Sequence, residues 1–450
     1  MHATRRERRK VYLCIGLCVS FVGSALALPG YGLTDEGSSL PPMKMDRTGH
    51  TEEETSLLGE ALPLDAVLAY AQEHNPAIKA AQSRLVAAQA RPVQVSSLED
   101  PMFTYEGFNI PENLDLSRTD NNILKLSQKL PFPGKRRLRG EVATREAAIA
   151  GEEVRMAEVT TRAEVTKAYY DLWQVHHNLL IYSRDKELMA QFATVAEKKY
   201  AVGQVSQPDV LRAQVELTRL INRVTTETLR LGEVSATLNG LLSRPPEALL
   251  GVPQDPPTPV VRQTLAELAE LTLQTRPEIA AKAVAIHRDS AALALAQKAY
   301  LPDFDVTAER FFNGGRSDGF GLIVSVTIPL AYRRKYDAGV AEARAQLDAD
   351  KADLRAAQDV ALAQVKGALA RAQTAVALVN LFTQTHIPQA EQALASSRIN
   401  YQTGMVDFLS LIDSLRVVEQ VHLEHLTATA DFEKAYADLE RAVGHALPRT

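Results

Sequence analysis

The chain has 450 residues, 23% of them charged, with a formal net charge of −5 at pH 7. An acidic protein gains nothing from a polyanion, so nucleic acid is excluded as the main partner. Only two cysteines occur, Cys14 and Cys18, and no long apolar run follows the first 27 residues, so neither a disulfide framework nor a membrane-spanning helix organises the remainder.

The first 27 residues read as a secretory signal. Arg5, Arg6, Arg8, Arg9 and Lys10 form its basic region, Val11 to Leu26 its apolar region, and Ala25-Leu26-Ala27 offers a cleavage site after Ala27. Both cysteines leave with it, and neither sits in a lipobox-like context. Removal takes five of the 50 Lys/Arg and one of the 55 Asp/Glu, leaving about −9. A mature chain of this kind can cross a membrane only with strands.

Residues 28–61 lack apolar periodicity and read as an extended N-terminal arm. Its Met43-Lys44-Met45 and His50 could hold a soft metal ion, and a solvated linker is the simpler reading. Pro63 opens a helix with Leu64, Val67, Leu68 and Ala71 on one face. Asn75-Pro76 breaks it, a second helix follows to about Leu98, and Asp100-Pro101 ends that one.

Residues 102–109 form a predicted strand, Ile110 to Asn122 a polar loop, and 123–132 a second strand. Leu124, Leu126 and Leu130 alternate there with Lys125, Ser127 and Lys129. Leu130-Pro-Phe-Pro-Gly-Lys135 then leads into a helix predicted to run to about Tyr200. About 66 residues at about 1.5 Å each make a rod of about 100 Å, too long for a globular domain. Gly203 to Gln207 is a tight turn, and Pro208 suits the first turn of a return helix to about Leu242. Residues 244–262 hold six prolines and form a connector.

The plan then repeats. Helices are predicted over 263–275 and 277–299, strands over 303–312 and 320–330, and a loop from Asn313 to Gly319. Phe304, Val306 and Ala308 alternate with Asp303, Asp305, Thr307 and Glu309. A second long helix runs from about Arg333 to Tyr401, with a kink expected at Pro388. Its turn is Thr403-Gly404-Met405, and the return helix reaches about Gly444. Tyr200-Ala-Val-Gly-Gln-Val lies 201 residues before Tyr401-Gln-Thr-Gly-Met-Val, and Asn75-Pro76 lies 201 residues before Arg276-Pro277. A shared register indicates tandem duplication of a whole unit. The organisation expected is signal 1–27, arm 28–61, first repeat 62–243, connector 244–262, second repeat 263–445 and tail 446–450.

Each return helix is about 45 Å shorter than the rod beside it. The helix before each hairpin has about the missing length. Stacked end to end with the return helix, it would complete a second rod. Four strands of about ten residues match a bilayer but cannot close a barrel. Three chains would supply twelve. A soluble sheet packed on helices fits the same alternation. Alanines at 341, 343, 345, 349, 352, 356 and 357 suit close rod contacts on more than one side. His176-His177 point about 100° apart and do not chelate. His422 and His425 could share a metal or simply lie on a helix surface. No P-loop, G-x-S-x-G or H-E-x-x-H occurs, so no enzyme is expected and pumping energy must come from partners.

The duplication, Leu130 to Lys135, Ala168-Tyr-Tyr-Asp-Leu172 and the two turns together resemble the TolC-like outer-membrane factor family over about residues 62–445. The resemblance implies a mostly α fold with a small β part. It implies a homotrimeric α/β-barrel channel-tunnel in the outer membrane of a Gram-negative bacterium, with four strands and long antiparallel helical hairpins per protomer. The function implied is a passive exit duct of a tripartite efflux system. Its partners would be outer-membrane lipid, a periplasmic adaptor (membrane fusion) protein and an inner-membrane pump of the RND type. No cofactor is implied. Pro131, Pro133 and Gly134 would carry the chain from barrel to helix. Gly203, Val205, Ser206, Gly404 and Val406 would form the tip turns that dock the adaptor. The best-known member carries acids six and nine residues after its second-turn glycine; here those positions are Ser410 and Asp413, so one matches. Asp209 and Asp413 are the pore-end acids this suggests, and each is also an ordinary helix-start acid. The Leu-Pro-Phe-Pro-Gly-Lys-Arg-Arg-Leu-Arg run and Asp100-Pro101-Met102 look most like the heavy-metal-efflux branch. A pore-less periplasmic coiled-coil scaffold is the alternative.

Overall fold

The computed structural model describes residues 61–448 except 109, 111, 113–120, 314–316 and 331. The signal segment with Cys14 and Cys18, the arm with Met43, Met45 and His50, most of both strand-to-strand loops and the last two residues lie outside the described residues.

The first repeat contains β1 (Ala61–Leu62), α1 (Leu64–His74), α2 (Pro76–Ser96), β2 (Met102–Phe108), β3 (Asn121–Leu130), α3 (Lys135–Ala201) and α4 (Gln207–Leu241). β4 (Val252–Pro253) lies in the connector. The second repeat contains α5 (Leu265–Thr275), α6 (Pro277–Lys298), β5 (Asp303–Asn313), β6 (Gly319–Thr327), α7 (Asp337–Leu381), α8 (Ile387–Thr403) and α9 (Phe408–Val443). π-helical turns, Tyr332–Tyr336 and Phe382–His386, precede α7 and α8. The strand ends shift by up to three residues from expectation. The kink foreseen at Pro388 takes the form of the second π turn, which accommodates a proline that cannot donate to the preceding turn.

α3 runs 67 residues without a break. It packs on α2 and α4 on one side and on α6 and α9 on the other, and α7 in turn packs on α6 and α9. The shorter helices are paired end to end, as the length argument requires. Asn75 caps α2 and donates from Nδ2 to the Leu241 carbonyl at the end of α4 (2.9 Å). In the second repeat Arg276 donates from Nη1 to the Ala442 carbonyl of α9 (3.1 Å). Both pairs hold the 201-residue register. The residue before each proline thus satisfies an orphan carbonyl of the return helix. Gly444, at φ +86°, ends α9 where a Cβ would come 2.7 Å from the Arg276 Cα.

The start of α3 is pinned by its entry motif. Gly134 takes φ +94°, which favours glycine. The buried Lys135 ammonium then bonds the Leu301 carbonyl and Asp303, each at 2.8 Å, and the Phe132 amide donates to the same carboxylate. Asp303 opens β5, so one carboxylate ties the first helix entry to the second hairpin.

β2, β3, β5 and β6 form one antiparallel sheet in that order. Residues in register share a face. One face carries Phe103, Leu126, Ala308 and Leu322 in a row, with Leu130, Phe304 and Val326 in another. The opposite face carries Lys125, which reaches Glu106 (2.7 Å) and Glu309 (3.4 Å), and a Ser127–Thr307 hydroxyl bond of 2.9 Å. The apolar face is open to its surroundings, with Phe320 83% and Leu322 71% exposed. β2 and β6 are edges without a partner strand among the described residues.

Candidate functional site

The two turns far from the sheet are built alike. α3 ends at Ala201, and Gly203 reverses the chain at φ +73°. Ser206 caps α4, and Asp209 accepts from the Ser206 amide (3.2 Å) and hydroxyl (2.7 Å). Gly404 sits at φ +79°. Asp407 caps α9 and accepts from the Ser410 amide (3.0 Å) and hydroxyl (2.5 Å). Those bonds, the hydroxyl's first, hold the Asp407 carboxyl below its ordinary range. Asp413 is 58% exposed and 3.5 Å from Arg416.

Asp209 and Asp413 are therefore not equivalent. Asp209 is bound into a capping box, whereas Asp413 stands free of any cap. The counterpart of the Ser206–Asp209 pair is Asp407–Ser410, with the two residue types exchanged. Sequence reasoning passed over Asp407. The signal was the repeat register, because Ser206 and Asp407 are 201 residues apart. Val205 and Val406 are half-buried, while Val202 and Met405 stand out at the turns, 68% and 78% exposed.

Side chains join the two turns. Lys199 donates to the Tyr401 carbonyl (3.1 Å), and its ammonium lies 4.3 Å over the Tyr401 ring. Tyr401 packs on Phe408 within a cluster that includes Met189, Leu220, Leu411 and Leu415. Its hydroxyl is buried and makes no hydrogen bond among the described residues. Burial, helped by the Asp209 charge, raises its pKa.

Farther along the return helices lies a network of four charges. Arg416 holds Glu216 through two bonds (2.6 and 3.1 Å), and Arg219 holds Glu419 through two more (2.6 and 3.2 Å). Arg219 also bonds Glu216 at 2.8 Å. Both carboxylates are buried. Burial pushes the Glu216 carboxyl up, but the bonds from Arg416 and Arg219 outweigh it and hold it below its ordinary value. Burial opposes the Arg219 charge, yet its partners Glu419 and Glu216 raise it. The network joins α4 of one repeat to α9 of the other.

The aromatic motif on α3 has a different task. The Tyr169 hydroxyl donates to the Leu62 carbonyl (2.7 Å) and accepts from the Gln254 amide (2.8 Å). Burial pushes it up to about 12. The Trp173 indole and His177 both reach Asp255 at 3.0 Å. These side chains clasp β1 and the connector beside α3. His422 faces Glu391 at 3.2 Å and His425 faces Thr383 at 3.2 Å, so they do not share a site. Among the described residues no group of three metal-ligating side chains converges.

The model of the outer membrane efflux protein family matches residues 67–242 and 268–445, the two repeats in turn. The chain belongs to the outer membrane efflux protein family. It is 22% identical over 450 residues to the cobalt-zinc-cadmium resistance protein CzcC of Cupriavidus metallidurans, covering 97% of this chain and all of that one. The fold is similar to that of the outer membrane protein VceC from Vibrio cholerae (TM-score 0.72, 19% identity, 85% of this chain and 96% of that one). It is also similar to CusC, whose structures concern transmembrane channel formation (TM-score 0.74, 18% identity, 87% and 94%). As a member of this family the protein is an exit duct in the outer membrane, with its helices on the periplasmic side, and works with an adaptor and an inner-membrane pump. The sheet is then the membrane part.

Proposed function

We propose that three copies of the chain assemble into one closed barrel and tunnel, a passive duct with no catalytic centre of its own, fed by an RND-type pump. The observation that carries this is the four-stranded sheet, with one apolar exposed face and two open edges. Open edges in lipid leave backbone groups unsatisfied, so β6 of one chain pairs with β2 of the next. Ala341, Ala345, Ala349, Ala352 and Ala356 are exposed along α7 of a single chain, which suits a neighbouring rod. A pore-less scaffold leaves both features without a use. Cobalt, zinc or cadmium ions are the cargo class suggested by the name of the curated relative.

The turns at Gly203 and Gly404 form the periplasmic tips, and the exposed Val202 and Met405 with the half-buried Val205 and Val406 present an apolar surface to the adaptor. Ser206 lies beside them as a cap. Asp209 and Asp413 mark the narrow end, and the Glu216–Arg219–Arg416–Glu419 network holds the two hairpins together there. Single-channel recording in planar bilayers, with the mass of the detergent complex, tests the reading. A trimer with discrete conductance is expected, and D209A/D413A should raise conductance and weaken block by divalent cations. A monomer that stays soluble without detergent and never conducts would overturn it.

A further inference from the structure

The run Lys135-Arg136-Arg137-Leu138-Arg139 is only partly accounted for by the helix entry. Lys135 is buried and paired with Asp303, and Arg137 pairs with Glu141 on the same helix. Arg136 has no carboxylate partner among the described residues, and neither does Lys298 on α6. Arg136 spends its Nε on the Ser96 carbonyl (2.7 Å), and its two terminal nitrogens make no ion pair among the described residues. The Lys298 ammonium lies 5.8 Å from the centre of the Phe132 ring and beside Gly134. Two cations without a carboxylate partner thus gather at the Pro131–Gly134 corner of an otherwise acidic protein.

Arg136 lines a pocket of about 510 Å³, and Lys298 lies against its Phe132 and Gly134. Its floor is Leu130, Phe304, Val306 and Val324, all on the apolar face of the sheet. Its wall is the Pro131–Gly134 corner, and Arg136 closes one side. β3 runs straight into α3 here, so the pocket lies at the periplasmic end of the strands. It opens on the lipid-facing side and is centred on β3 and β5, the inner strands, rather than on an edge that a neighbouring chain would cover. Two prolines fix the wall before any ligand arrives, so little ordering is required on binding.

An apolar cup under a cationic rim fits an amphiphile with a negative head. Guanidinium binds phosphate through paired donors, and an ammonium adds a point charge. We infer that this corner binds one anionic glycerophospholipid of the periplasmic leaflet per chain, its phosphate on Arg136 and Lys298 and an acyl chain against Leu130, Phe304, Val306 and Val324. The site rests on the sheet lying in the membrane, and it goes beyond the duct function, since its floor lies on the apolar face of the sheet and not on the polar one.

Native mass spectrometry of the assembled channel tests the inference, with dioleoylphosphatidylglycerol and dioleoylphosphatidylcholine offered in equal amounts. One retained lipid per chain is expected, the glycerol form favoured by about fivefold or more, the discrimination of roughly one surface cation. R136Q/K298Q should bring the two lipids to parity, and V306W, which fills the cup, should lower retention of both. Equal retention by the unaltered channel would overturn the site, and so would a preference that survives R136Q/K298Q. If that variant does not assemble, the unaltered channel decides through its headgroup preference and through competition by glycerol 3-phosphate. Displacement by this chainless phosphate would reduce the site to an anion contact and overturn the lipid. Conductance of the same preparation tests the duct separately. A channel that conducts but shows no preference keeps the duct and loses this site.

Discussion

The turns at Gly203 and Gly404 reach the same geometry with the same residue types in exchanged places. In the first, serine is the cap and aspartate lies three residues on; in the second, aspartate is the cap and serine lies three residues on. Each carboxylate accepts from the backbone amide and the hydroxyl of the serine across from it. What the duplication preserves is one carboxylate–serine pair across the first turn of a helix, not an acid at a fixed position. Counting acids after a glycine therefore finds Asp209 and misses Asp407. The return helices beyond the turns differ more. Glu216 takes both arginines of the network, while Glu419 takes one.

That inequality gives the largest expected effect. Glu216→Ala strips two arginines of a buried partner and should lower stability by about 2 kcal/mol, against about 1 kcal/mol for Glu419→Ala, after allowance for the partly exposed guanidinium groups. Thermal unfolding in detergent reads both, and the reverse order would dismiss the asymmetry. Next come the glycines. Alanine at 203 or 404 must adopt a positive φ, costing about 1 kcal/mol at each site and nearly the same at both, because the angles agree. A clear difference between the two unfolding midpoints would mean that the turns are not equivalent.

Acid supplies a third comparison. The carboxyls of Glu216 and Asp407 are held below their ordinary values of 4.5 and 3.8, so their contribution is complete above those values. It is lost as pH falls through the depressed values. Asp185 is shifted the other way, upward by burial, so its contribution is present at low pH and lost as pH rises through its raised value. Stability should decline below about pH 4, and E216Q/D407N should flatten that decline. A decline of unchanged depth in the variant would place the acid sensitivity elsewhere. The smallest effect is the exchange itself. D407S/S410D rewrites the second turn in the order of the first and should change stability by no more than about 0.5 kcal/mol, whereas Asp407→Ala costs about 1. A large loss from the exchange would show that the second tip needs its carboxylate at the cap.

Much of the fold was legible because its signals are long. A 201-residue register, proline-bounded helices and strand alternation survive small errors of boundary. The end-to-end stacking followed from length alone, and the Asn75–Leu241 and Arg276–Ala442 joints are its physical form. Short features were not legible. β1 and β4 have two residues each, too few to show a period, and they exist because Tyr169 holds both. The Glu216–Arg416 and Arg219–Glu419 pairs look like solvated helix faces until the second repeat is laid beside the first. At the turns, the glycines and Asp209 as a helix-start acid could be read directly. Asp407 could not, because its role depends on a partner three residues on that is not an acid.

The uninterrupted α3 acts as a ruler for the neighbouring rods. One inserted residue lengthens it by about 1.5 Å and rotates everything beyond it by about 100°. The stacked rod beside it, α2 with α4, must grow by the same amount or the joint at Asn75 pulls away from Leu241. The second repeat shares α3 as a wall, so it must follow as well. A longer or shorter relative of this duct is therefore reached by matched insertions in several helices, in steps close to two whole turns. Single-helix insertions should be rare in the rods and common in the connector.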